Sequence, residues 1–443
     1  MEAPTTQRPA TLPGRKRSPS PKSKRQTPPK QHDVQIIEPE PLPVPYKVGQ
    51  PRLSTFETAL VNTLPLTYFS SIWWVGTQTG VWSGVLVYGL RKAISQNFGG
   101  EQLRKYYMAL AAYWLLNLLS PTKHSGFFRN KSVRNLPMFR VLSSYYPHKN
   151  IVTTPLTGKK YFFGMHPHGV LALTLAPSFA EGCGFENELF PQLRIQVCTV
   201  DAIFLMPYAN ELSQTAGMVT NQKSQMVKNL ANNKSIANYI GGADEALLSG
   251  GGKMRLILKN RMGFVQVCVA TGTPLVPCLA FGETALYRQV FHPALRKLQL
   301  WMGKHLPISL PVAYNGLKED HWITPFRPRR VPTFTVFGKP IECPLVDKKR
   351  EPERFRQVVA EKHAEYVAQL RELHEKWKHL GTAEDQELEI LSVEESRKPH
   401  VLGDLKRGQE RMDELKKLQQ YDLRKGGKVL LGGSEHLRYN ASL

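Results

Sequence analysis

The sequence predicts an α/β protein with a mixed sheet and flanking helices, preceded by an N-terminal transmembrane or re-entrant helical hairpin. Three observations carry that expectation. Short apolar runs each end in a glycine-containing turn with polar residues and lead into a helical pattern, the alternation that builds a strand–helix sheet. A charge-free stretch, 58–90, stands ahead of them. Both ends of the chain differ in composition from the middle, which sets the domain limits.

Residues 1–55 are rich in Pro, Ser, Thr, Lys and Arg, show no signal-peptide pattern and read as a disordered basic arm. Phosphorylation at Ser18-Pro19, Ser20-Pro21 or Thr27-Pro28 would weaken its attraction to an anionic membrane. Over all 443 residues the formal charge is +23. That excess calls for anionic partners: acidic lipid headgroups, phosphate-bearing substrates or nucleic acid. Zinc-finger spacing and RNA-binding aromatic signatures are absent, so nucleic acid is not an expected partner. The five cysteines are scattered without a C-x-x-C pair. They read as buried thiols in a reducing compartment, not as disulfides or structural zinc.

Residues 56–122 form the expected hairpin. About 20 apolar residues cross a bilayer core, and one such span fits inside 66–90, with Trp73, Trp74, Trp82 and Val85-Leu86-Val87. A second uncharged run, 106–122, is shorter. The basic arm before the hairpin, and Lys123, Arg129, Lys131, Arg134 and Arg140 after it, place both ends on the cytosolic side. Two spans, one re-entrant hairpin and two buried core helices all fit the pattern.

Residues 123–380 carry the strand–turn–helix repeats. Tyr161-Phe162-Phe163-Gly164 leads to His166-Pro167-His168-Gly169, then to the apolar stretch 170–180, expected to be helical. Residues 235–240 lead to Gly241-Gly242 and Glu245. Residues 275–281, interrupted by Pro277, lead to Gly282-Glu283. Sites gather at the carboxyl ends of strands in such sheets, so three polar groups converge there. A histidine at a helix N-terminus feels positive dipole and stays neutral, as a general base requires, and free helix N–H groups hold an oxyanion. A structural histidine and a zinc ligand are the alternatives, but no third ligand stands at useful spacing, and no metal is expected. Lys259-Asn260-Arg261-Met262-Gly263-Phe264 opens a further helix with cations, which either hold phosphates or are solvated.

In order, HPHG at 166–169, GGADEAL at 241–247, RMGFVQVCVATGTPLVPCLAFGE at 261–283 and PRRVPTFTVFGKPI at 328–341 resemble the diacylglycerol acyltransferase type 2 family. The resemblance covers about 55–380 and includes the paired hydrophobic segments. It implies a glycerolipid-acyltransferase-like fold at the endoplasmic reticulum membrane or lipid droplets, with the catalytic domain in the cytosol. The implied reaction moves an acyl group from acyl-CoA to the free hydroxyl of diacylglycerol, giving triacylglycerol. Monoacylglycerol and wax alcohols are alternative acceptors. Acyl-CoA is a co-substrate, and no cofactor is implied. By position, the resemblance implies catalytic roles for His166, His168, Glu245 and Glu283. It implies substrate binding at Pro167, Gly169, Gly241, Gly242, Arg261, Gly263, Phe264 and Gly282.

Three family cations are replaced by amides at Asn210, Gln266 and Asn315. These changes point to altered substrate choice, reduced activity or a non-catalytic lipid-binding protein of the same fold. Related glycerophosphate-type enzymes pair their histidine with an aspartate five residues on. Here Leu171 and Leu173 hold those places, which leaves Glu245 or Glu283 to orient the imidazole. The segment 353–380 has the spacing of an amphipathic helix, and 381–443 reads as a charged, partly disordered tail. Homo-oligomerisation remains open.

Overall fold

The computed structural model describes residues 88–89, 91–93, 95–96, 100–135, 148–180, 192–204, 209–305, 311–314, 328–329 and 331–424. The basic arm, nearly all of the first hairpin run, and Cys183 and Asn315 lie outside these residues. Most of the second run, 106–119, lies in helix α1 (Gly100–Leu119). No described helix is long and apolar enough to cross a membrane.

Eleven described strands follow in chain order: β1 (His148–Val152), β2 (Phe162–His166), β3 (Ile195–Thr199), β4 (Met218–Thr220), β5 (Ser235–Tyr239), β6 (Met254–Ile257), β7 (Leu275–Phe281), β8 (Arg288–Gln289), β9 (Ala313–Tyr314), β10 (Thr333–Phe337) and β11 (Leu388–Leu391). Seven of them make one sheet in the order β1-β10-β7-β2-β5-β3-β4. The five from β7 to β4 are mutually parallel, and the parallel pair β1–β10 joins β7 in the opposite direction. The mixed α/β sheet expected from the alternating runs is therefore present, and it is rich in parallel pairs. Two small ribbons stand apart from it, antiparallel β8–β9 and parallel β6–β11.

The remaining helices that matter here are α2 (Lys223–Ala231), α3 (Gly242–Ala246), α4 (Gly263–Thr271), α5 (Pro293–His305), α6 (Pro352–Trp377) and α7 (Pro399–Arg424). Period-two alternation divides the sheet residues between two cores. Phe162, Ile236, Leu275, Leu279 and Val336 pack with Leu230 of α2, Val265 and Cys268 of α4, and Val359, Tyr366 and Leu370 of α6. Phe163, Met165, Ala237, Tyr239, Val276 and Phe337 pack with Phe179 on the other face. β2 is buried on both faces, which is why it reads as an unbroken apolar run. Each fully buried Phe contributes about 1.5–3 kcal/mol.

Pro277 sits inside β7 without costing a ladder bond. Leu275 exchanges both backbone bonds with Ile341, so Pro277, two residues on, presents its backbone to the same side. There its carbonyl accepts Gly338 N–H at 2.8 Å. The missing proline donor faces the point where the chain leaves β10 at Phe337.

Two stretches differ from the sequence expectation. Only Leu175–Phe179 of the 170–180 stretch is helical, because the preceding turn is held by side chains instead of by its own ladder. The stretch 381–424, expected to begin a charged tail, holds β11 and α7, with Leu391, Val401, Leu405 and Met412 buried. Its apolar residues are sparse, so a pattern count undervalues them. Cys198, Cys268, Cys278 and Cys343 are buried free thiols.

Candidate active site

β2 ends at His166, and the chain turns sharply through Pro167, His168 and Gly169. His166 is fully buried, and neither ring nitrogen has a hydrogen-bond partner. Its Nδ1 lies 3.6 Å from Glu245 Oε2, beyond a hydrogen bond. His168 is half-buried, and its Nδ1 lies 3.0 Å from Gly169 O. A carbonyl only accepts, so Nδ1 carries the proton and Nε2 the free lone pair. Burial holds this imidazole below its ordinary range, against the nearby Glu245 carboxylate, which favours the charged form. The result is a neutral, partly accessible imidazole of fixed tautomer. Tyr239 packs edge-on against it at 5.2 Å between centroids, and its hydroxyl bonds Thr174 Oγ1 at 2.9 Å.

Both glutamates expected near the histidines are there, but they bind mainly backbone. Glu245, on α3, accepts His168 N–H at 2.6 Å on Oε1 and Ile257 N–H at 2.8 Å on Oε2. Glu283 accepts Leu173 N–H at 3.0 Å and Thr174 N–H at 2.8 Å. The N–H groups of His168, Leu173 and Thr174, expected to be free for an oxyanion, are thus taken by carboxylates. Burial pushes the Glu283 carboxyl up to about 7, against the bonds from Thr174 and Leu173, with nearby Asp385 adding to the rise.

Two glycines make room for these carboxylates. An added Cβ at Gly169, whose φ is +62°, would collide with the Glu283 side chain. One at Gly241 would collide with Glu245. Gly242, at φ +55°, opens α3 in a conformation that favours glycine. Gly282 donates its N–H to Asp385 Oδ2 at 2.8 Å, a partner from the stretch the sequence placed in the tail. Asp385, Tyr239 and Thr174 carry no pattern that would have singled them out in the sequence.

Arg261 is tied down: it donates to Ile240 O at 3.0 Å and to Asp244 at 2.8 Å, and so joins the end of β5 to α3. Lys259 pairs with Glu395 at 2.7 Å. Gly263 has open space beside it, whereas Phe264 is buried in the core, 4.9 Å from Tyr366 between ring centroids. Of the family departures, Asn210 is buried and bonds Asn117 at 2.8 Å and Gln214 at 2.6 Å. Gln266 accepts from Lys223.

A neutral, partly accessible imidazole at a central strand end can act as the general base of an acyl transfer. The model of one family, described as diacylglycerol acyltransferase, matches residues 103–391, more than half of the chain. The chain belongs to the diacylglycerol acyltransferase family. Diacylglycerol O-acyltransferase 1 of Schizosaccharomyces pombe is 35% identical over 255 residues, covering 56% of this chain and 71% of its own length. Diacylglycerol O-acyltransferase 2A of Umbelopsis ramanniana is 29% identical over 269 residues, 59% of this chain and 74% of its own. The human acyl-CoA wax alcohol acyltransferase 2 is 31% identical over 306 residues, 65% of this chain and 89% of its own. Among solved structures, the 1-acyl-sn-glycerophosphate acyltransferase PlsC of Thermotoga maritima aligns with a TM-score of 0.30 and 13% identity, covering 70% of this chain and 97% of that one.

Proposed function

We propose that the protein transfers an acyl group from acyl-CoA to the hydroxyl of diacylglycerol, forming triacylglycerol, with His168 as the general base. The single observation that carries this reading is the His168 tautomer, with Nδ1 donating to Gly169 O at 3.0 Å and Nε2 left as the lone pair. Nε2 takes the acceptor hydroxyl proton as the oxygen attacks the thioester carbonyl carbon. The tetrahedral intermediate collapses, the C–S bond breaks, and the imidazolium returns its proton to the coenzyme A thiolate. Among described residues, the N–H groups of Gly169 and Val170 donate to no protein acceptor, so they are the donors available to the oxyanion. Glu245 and Glu283 hold the turn through its backbone N–H groups.

Acyl donor and acceptor come from the family and from the names of the relatives. A long-chain alcohol is the second acceptor, because the human wax alcohol enzyme aligns over a larger share of this chain. The protein works at the endoplasmic reticulum membrane or at lipid droplets, with its catalytic domain in the cytosol. Exposed Leu115, Leu116, Leu119 and Phe127 beside Lys123 and Arg129 support a membrane-facing surface.

The test is acyl transfer from labelled acyl-CoA, with diacylglycerol and a long-chain alcohol competing in the same membranes. Wild type makes labelled triacylglycerol, and His168→Ala loses about 10²- to 10⁴-fold in rate. Equal product from both overturns the reading. A labelled wax ester in place of triacylglycerol moves the assignment to the second acceptor.

A further inference from the structure

The match to the family ends at residue 391, yet the described chain continues to Arg424, and its stretch 395–409 touches the elements around the site. We propose that this segment, 392–424, is a clamp that positions the Glu245 turn, with Arg397 as its positioning residue.

The clamp begins with a staple. Ser392 and Glu395 cap each other's backbone in a capping box. Glu395 then takes Lys259 at 2.7 Å, Ser396 O accepts Arg296 Nη2 at 3.1 Å, and Arg397 Nη2 donates to Asp244 Oδ1 at 3.2 Å. Asp244 and Glu245 are neighbours on α3, and a helix sends consecutive side chains about 100° apart. Glu245 reaches inward to the histidine turn while Asp244 is gripped by two guanidiniums, Arg261 on Oδ2 and Arg397 on Oδ1. One of those two comes from outside the family-matched span.

The other end of the same loop is gripped by α7. Val401 and Leu405 form a small core with Leu248, Ile257 and Leu391. Gly408 approaches Gly251 and Gly252 at backbone distance, so that a Cβ on Gly408 would collide with Gly251 O. This contact accounts for Gly251 and Gly252, which the catalytic motifs do not use, while Gly250 lies against Tyr287 O. Gln409 accepts Gln289 N–H at 3.4 Å, and Gln289 Nε2 donates to Ala246 O at 2.7 Å and Ser249 O at 2.8 Å. The loop from Gly241 to Gly252 is thus fixed at both ends by the segment, and through Glu245 so is His168 N–H.

The catalytic consequence rests on the acyl-transfer reading above; the structural link does not. The test therefore has two arms on the full chain, with Arg397→Gln, Arg397→Lys and Gly408→Leu. In hydrogen-exchange mass spectrometry, Arg397→Gln speeds exchange in 241–252 and in the distant 166–175 turn, while the β3 and β4 peptides stay at wild-type rates. Arg397→Lys, which keeps a cation within reach of Asp244, recovers most of the protection. Gly408→Leu speeds exchange in the same two regions. In the activity arm, Arg397→Gln lowers kcat about 2- to 5-fold, the scale of one part-exposed ion pair, at unchanged KM for acyl-CoA. Wild-type exchange in 166–175 for Arg397→Gln overturns the proposal whether or not the wild type transfers acyl groups. So does faster exchange spread evenly over the sheet, or a rise in KM with kcat unchanged.

Discussion

Glu245 Oε1 accepts the backbone N–H of His168 at 2.6 Å, while its other oxygen accepts Ile257 N–H at 2.8 Å and lies 3.6 Å from His166 Nδ1. One carboxylate thus ties α3, β6 and the end of β2 together. Two of its bonds are to donors that cannot rotate away.

Glu245→Gln turns one of those oxygens into an NH₂ group that faces a backbone N–H. A buried donor left without an acceptor costs about 1–3 kcal/mol. The urea unfolding midpoint falls by the matching amount, and acyl transfer falls with it because the His168 turn loosens. A Glu245→Gln protein with the wild-type midpoint would show that the carboxylate does not hold the turn.

Burial keeps the His168 imidazole below its ordinary value of 6.5. A base must be neutral, so kcat/KM, which reports the free enzyme, declines as pH falls, with the midpoint of that acid limb below 6.5. The same group destabilises the fold over the same direction: its folded value is depressed, so stability is lost as pH falls from 6.5 through the folded value. A kcat/KM–pH profile checks the first statement, and an acid limb centred above 6.5 contradicts it.

Glu283 has the opposite sign. Its carboxyl is raised from 4.5 to about 7, so the folded state holds its proton more tightly than the unfolded chain does. Its contribution is fully present below pH 4.5 and is lost as pH rises to about 7. The loss is on the order of 3 kcal/mol. Glu283→Gln cannot titrate, so the difference in Tm between wild type and variant changes across that window and is flat above it. A difference independent of pH would remove Glu283 as the titrating group.

Phe264 stands in the motif that the resemblance linked to substrate, yet it packs on Tyr366, Phe162 and His363. Phe264→Ala therefore costs about 3–5 kcal/mol of stability. In the fraction that stays folded, KM for acyl-CoA is unchanged. Unfolding by denaturant and steady-state kinetics separate the two effects, and a KM rise at normal stability would return Phe264 to the substrate site.

Several elements were legible because their cause is local. α6 buries Phe355, Val359, Tyr366, Leu370, Leu373 and Trp377, all of them on the expected helical stripe. The turn after β2 was legible from Pro167 and Gly169. The short helix after it was misjudged, because Glu283 lies 110 residues from Leu173 and nothing near the turn announces it. Residues 392–424 were misjudged for a similar reason: Gly408 and Arg397 acquire a purpose only beside Gly251 and Asp244.

By itself the sequence determined the α/β class, the strand that ends in the histidine pair, and the family, since period-two burial and motif order are properties of neighbouring residues. Only the tertiary structure decided which backbone N–H groups the two glutamates occupy, which histidine nitrogen keeps its lone pair, and what α7 grips. A buried carboxylate is tolerated only where donors surround it. Here those donors come from distant parts of the chain.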